Sequence, residues 1–243
     1  MKASAIEFRL RFVIVVILGF WSPWVEAWGI GHPFSMLECL PLELSRLGMT
    51  NFSAASAAVI VLGAVAAGIG AALRIWGTAY LGYDTVKHGD MQAGAVMADG
   101  PYRHVRNPLY LGTWFMIAAM SLIMPPTGAL FTMVLITVFL LRLILGEEAF
   151  LAGQLGESYA EYRRMVPRLI PRLRASLPAS GNEPHWLTAV IAEVNPIGVF
   201  LTLAVVSWSY DHRLMLRAIL ISLGVSLVVR ALMPRGEVNA DPA

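Results

Sequence analysis

Charge and sulfur are both scarce in this chain, and each scarcity closes off a class of protein. Only 14% of the 243 residues are charged while 57% are hydrophobic. A soluble domain carries about a quarter charged residues and about half apolar ones. The balance excludes an ordinary soluble globule and points to a polytopic membrane protein. Cys39 is the single cysteine, which excludes an internal disulfide and a cysteine-built metal cluster. The five histidines, at 32, 88, 104, 185 and 212, show no ligand spacing, so no metal is expected. No nucleic-acid partner is expected either.

What the chain does have is a series of apolar runs. Each membrane crossing consumes about 20 residues, and backbone groups in hydrocarbon must be satisfied within a helix. The runs predict an all-α protein of about six transmembrane helices, at 12–29, 54–73, 109–124, 127–146, 186–208 and 214–233. Most of the seven tryptophans fall near the ends of these runs, as interfacial aromatics do. Lys2, Arg9 and Arg11 ahead of the first run, with Val25-Glu26-Ala27 after it, also suit a cleaved secretory signal. Pro23, Trp24 and Glu26 make that cleavage site poor, so a retained helix is expected. A partly amphipathic run, 36–47, reads as a short interfacial helix on the outer side.

Orientation follows from the cations. With a cytoplasmic N-terminus, all but Arg46, Arg213 and Arg217 of the 18 Lys and Arg residues lie inside, as the positive-inside rule demands. Both termini are then cytoplasmic, in the inner membrane if the source is bacterial. The chain divides into an N-terminal span with its outer segment (1–53), a core (54–171), a Ser-, Pro-, Gly- and Asn-rich linker (172–185) and a C-terminal two-helix membrane hairpin (186–243).

Two polar islands flank the third and fourth runs. One is Gly100-Pro101-Tyr102-Arg103-His104-Val105-Arg106-Asn107-Pro108-Leu109-Tyr110; the other starts at Glu147-Glu148 and continues to Tyr159, Tyr162 and Val166-Pro167-Arg168. A helical hairpin through the bilayer would bring them together at one face. Pro108 pushes Asn107 out of the helical region, so Arg106 and Asn107 belong on an extended turn at the membrane entrance. If a helix ended at Glu147 and Glu148, two carboxylates would face its negative pole. Either the helix continues past them or a cation answers them. Arg142 lies about one turn before Glu147 and suits an anionic acceptor or simple snorkelling. Glu193 interrupts the fifth run and is either a functional group at depth or interfacial.

Taken in order and spacing, Gly100-Pro101-Tyr102, Arg106-Asn107-Pro108-Leu109-Tyr110-Leu111-Gly112, Glu147-Glu148, Leu155-Gly156-Glu157-Ser158-Tyr159, Tyr162 and Val166-Pro167 resemble the isoprenylcysteine carboxyl methyltransferase and phospholipid methyltransferase family. The resemblance covers about residues 94–171. It implies an S-adenosylmethionine site at the cytoplasmic face, with a lipophilic acceptor reached from the lipid: an isoprenoid carboxylate, a phospholipid amine or another membrane-soluble small molecule. It assigns cofactor contacts to Val96, Met97, Tyr102, Arg106, Asn107, Pro108, Leu109, Tyr110, Glu147 and Glu148. Many members carry His where this chain has Asn107, which cannot titrate. Candidate catalytic groups are Arg142 and His104. The rival readings are a membrane reductase with a nicotinamide cofactor and a transporter whose Glu193 and Arg142 line a pathway.

Overall fold

The computed structural model describes residues 2–20, 34–82, 96 and 98–232, and among them all regular structure is helical. The helices are α1 (Ala5–Arg9), α2 (Arg11–Phe20), α3 (Met36–Arg46), α4 (Phe52–Leu81), α5 (Pro108–Met120), α6 (Pro126–Met165), α7 (Trp186–Ala192), α8 (Val194–Ala204) and α9 (His212–Leu232). Tighter 3-10 turns occupy Gly100–Arg103, Ser121–Ile123 and Val206–Ser209. The boundaries have local causes. The Asn51 side chain accepts the Ala54 amide at 2.8 Å and starts α4. Pro126 starts α6, where its missing N–H is an orphan in any case.

The helices pack through small residues. Gly63, Gly70 and Gly77 recur every seven residues along α4 and share one face. A Cβ added at Gly70 would lie 2.8 Å from the Gly112 carbonyl oxygen and 3.0 Å from the Met116 amide of α5. Contacts of Gly63 with Leu122 and of Gly77 with Leu109 bracket that crossing, so the two helices run antiparallel. Lipid gives helices no hydrophobic reason to associate, and close backbone approach supplies dispersion instead. Where α5, α6, α8 and α9 meet, Met116, Ile117, Ile136, Leu140, Leu143, Val199, Leu203 and Ile219 form the main core. Outward-facing Leu62, Leu130 and Val228 are 67%, 69% and 58% exposed, the inverted surface that a bilayer accommodates.

Three helices are long and apolar enough to cross a membrane: α4, α6 and residues Arg213–Leu232 of α9. Trp186–Ala192 and Val194–Ser209 make a fourth if the pair, bent by 68°, counts as one crossing. The count differs from the expected six for two reasons. At 13 residues, α5 rises about 20 Å against a hydrocarbon core of about 30 Å, because its apolar run is broken by the 3-10 turn at Ser121–Ile123. The expected first crossing is described only as far as Phe20, and its remainder lies outside the described residues. α6 is longer than expected and continues through Glu147 and Glu148 to Met165, with one break at Gly156 (φ 56°, ψ −129°). The stretch read as a linker is stitched to the first island: the amides of Arg172 and Ser176 donate to the carbonyls of His104 and Arg103 at 3.1 and 2.8 Å. Beyond it, the amide of His185 donates to the Ala79 carbonyl, and α7 and α8 pack on α4.

Candidate functional site

The first island begins on a buried acid. Asp99 accepts from the amides of Ser180 (2.7 Å) and Asn182 (3.2 Å) and from Asn182 Nδ2 (2.8 Å). Gly100 follows with φ 54°, and a Cβ there would strike the Tyr80 ring at 2.3 Å, so conformation and space both require glycine. The turn buries Pro101 and Tyr102. Tyr162 Oη donates to the Tyr102 carbonyl at 2.9 Å, and burial pushes the Tyr102 phenol well above its ordinary range. Tyr102 is therefore a neutral hydrogen-bonding group near neutral pH.

The two islands meet at Glu148. Asn107, the buried N-cap of α5 with the non-helical backbone that Pro108 imposes, donates through Nδ2 to Glu148 Oε1 and to the Arg168 carbonyl, both at 3.2 Å. Arg168 grips the same carboxylate with Nη2 at 2.8 Å and Nε at 3.1 Å, and that bonding raises the guanidinium's pKa further. Arg106 Nε lies 3.1 Å from Glu148 Oε1, yet its N–H finds no acceptor along its axis. That contact is thus an ion pair without a hydrogen bond. The Arg106 amide donates to the Pro167 carbonyl at 2.9 Å, so backbone as well as side chains hold the islands together. Both alternatives open for the glutamates are realised here: the helix continues, and cations answer Glu148.

Glu147 looks elsewhere, as neighbouring helical residues about 100° apart must. It is half-buried, accepts from Tyr110 Oη at 2.7 Å and has Arg11 within Coulombic reach. Tyr110 with Glu147, and Trp114 Nε1 donating to Thr137 Oγ1 at 2.9 Å, run in opposite order along α5 and α6. The pair is therefore antiparallel, with both islands at one end.

The remaining site residues read from the sequence are distributed as follows. Pro108 is buried at the start of α5, and Leu109 packs on Gly77. Val96 packs beside the buried cluster of Tyr159, Tyr162 and Val166, and Met97 lies outside the described residues. His104 is half-buried against Trp76, with Nδ1 donating to the Arg172 carbonyl at 2.7 Å, which leaves Nε2 as the acceptor. Arg142 is engaged by Glu7 of α1 in a two-pronged pair, with contacts of 2.9 Å. Glu193, 1% exposed, receives Arg74 at 2.7 and 3.0 Å and Thr78 at 2.7 Å. Sequence reasoning did not place Arg168 or Asp99 in the site. Arg168 stood among topology-setting arginines, and Asp99 is answered by two backbone amides and an asparagine, which leave no charge-pair signal.

Residues 58–158, which run from within α4 to just past the break at Gly156, match the family model described as phospholipid methyltransferase. Methanethiol S-methyltransferase of Crocosphaera subtropica is 44% identical over 70 residues, 29% of this chain and 27% of that protein. Protein-S-isoprenylcysteine O-methyltransferase of Schizosaccharomyces pombe is 40% identical over 78 residues, 31% of this chain and 33% of that protein. The chain thus spans a third or less of the length of these relatives. No solved structure matches it significantly.

Proposed function

We propose, from the premise that residues 58–158 are a domain of the phospholipid methyltransferase family, that the chain transfers a methyl group from S-adenosylmethionine to a lipophilic acceptor at the cytoplasmic face of a membrane. The observation that carries this reading is the division of labour between the adjacent glutamates. Glu148 is consumed by Asn107, Arg168 and Arg106, while Glu147 meets a phenol at the same end of the helix pair. Glu148 holds the two islands in register, and Glu147 is the acid left to receive a ligand's ammonium.

The residues present fit such a donor. S-adenosylmethionine carries an ammonium, a carboxylate and a sulfonium, and the site offers a carboxylate, arginine and tyrosine faces. When bound, the cofactor supplies an already activated methyl group. The chain then has to orient donor and acceptor and exclude water. Tyr102 and Tyr110 line the approach, and His104 presents Nε2 to an acceptor that must lose a proton.

The relatives' names specify transfer to sulfur in one case and to oxygen in the other, which favours a thiol or carboxylate acceptor over an amine. A thiol needs proton removal and a carboxylate does not, so a loss of activity in His104→Gln confined to the former would identify the acceptor class. The positive-inside distribution supports the cytoplasmic placement. The charges a transporter would need unpaired, Arg142 and Glu193, are already answered by Glu7 and Arg74. Calorimetric titration of the purified chain with S-adenosylmethionine and with NADPH tests the proposal. Binding of NADPH alone supports a reductase, and binding of neither removes the enzymatic reading. Methyl-label transfer into a lipid extract, followed by mass analysis, then identifies the acceptor.

A further inference from the structure

Beside the junction a cavity of about 420 Å³, open to solvent, is lined by Arg106, Ala160, Arg163 and Arg164. We infer that it is a phosphate-binding site, separate from the methyl acceptor and independent of the methyl-transfer reading. The charge there is in surplus. Glu148 faces both Arg106 and Arg168, so one carboxylate answers two guanidinium groups. Among the described residues Arg163 has no side-chain hydrogen bond or ion pair. Among the described residues Arg164 meets only Glu157, at 3.2 Å with both side chains more than 70% exposed, a contact that water and ligands readily exchange.

A cation at the last turn of a helix is favoured by the helix dipole, which accounts for Arg163 and Arg164 but not for Arg106, which comes from the other island. The Arg106 side chain is only 8% exposed. Its Nη1 donates to the Arg163 carbonyl at 2.9 Å, which ties the two islands together at the rim of the cavity. Three arginines lining one opening suit the several oxygens of a phosphate better than the two of a carboxylate. The open side leaves room for the rest of an ester. Phosphate of this kind is offered by an anionic phospholipid headgroup or by a soluble phosphate ester.

The test uses the full chain in bilayers of phosphatidylcholine with phosphatidylglycerol, followed by native mass spectrometry of the retained lipid, with glycerol 3-phosphate titrated in a second arm. Selective retention of phosphatidylglycerol that falls about tenfold or more in Arg163→Gln/Arg164→Gln, but not in Arg9→Gln/Arg174→Gln, establishes the site with a lipid ligand. Binding of glycerol 3-phosphate with the same dependence on the first pair, without lipid selectivity, establishes it with a soluble one. Equal losses from both pairs, or no preference for either ligand, overturn it.

Discussion

At the scale of single residues, the proposed function assigns ligand binding to Glu147 and positioning to Glu148. Glu147→Gln is expected to weaken S-adenosylmethionine binding about tenfold, the loss of one charge-assisted bond, with little change in melting temperature. Glu148→Gln is expected to lower the melting temperature as well, because Arg106 and Arg168 are left facing each other around a neutral amide. Calorimetry and thermal unfolding on both variants separate the two effects. Glu7 gives a pH-dependent prediction. The hydrogen bonds from Arg142 first, and the Ser4 amide next, hold its carboxyl at about 2 instead of the ordinary 4.5. A lowered carboxyl stabilises the fold fully above its unfolded value and loses that contribution as pH falls through the folded one. The melting-temperature gap between the natural chain and Glu7→Gln should therefore be complete above 4.5 and close as pH approaches about 2. A gap unchanged across that window would separate Glu7 from the stability of the fold.

At the scale of elements, α6 contains a matched pair of glycines. Gly153 is helical with nothing within 4 Å of an added Cβ, whereas Gly156 has φ +56°. Gly153→Ala is expected to stabilise by up to about 1 kcal/mol. Gly156→Ala is expected to destabilise by more than that and to disturb the bond from Tyr162 to the Tyr102 carbonyl, because the break re-aims the last turns of the helix. Differential scanning of both variants checks the contrast in sign. The sequence showed that the islands belong together, since Asn107-Pro108 and Glu147-Glu148 bracket two apolar runs. It did not show how they divide. Hydropathy measures a run, not where its helix ends, so the run at 109–124 did not show that its last residues form the 3-10 turn at Ser121–Ile123. Arg168 was one arginine among several, and only three-dimensional proximity distinguishes a carboxylate's partner from a topology signal. The ties along residues 172–185 rest largely on the backbone amides and carbonyls of that stretch, which carry no residue code.

At the scale of the whole molecule, the C-terminal helices are bound to the matched domain by a buried charge pair. Arg74 and Glu193 are 14% and 1% exposed at their side chains, and Arg74 also donates to Thr113 of α5 at 2.8 Å. Removing one partner of such a pair costs about 3 to 5 kcal/mol, while replacing both with apolar residues recovers much of it. Glu193→Leu alone should therefore melt well below Arg74→Met/Glu193→Leu, as measured by thermal aggregation in detergent. A loss in the double variant equal to the sum of the losses in Glu193→Leu and Arg74→Met alone would show that the pair is not coupled.

The same pair sets an order on biosynthesis. Arg74 leaves the ribosome 119 residues ahead of its carboxylate, so a nascent α4 is laid into lipid while still owing a counter-ion. Until α7 emerges, Thr113 is the partner at hand, and the half-built protein waits in an unfinished state for its last quarter. A chain stopped before Trp186 should be recognised as incomplete and degraded, even though it retains every residue of the matched segment.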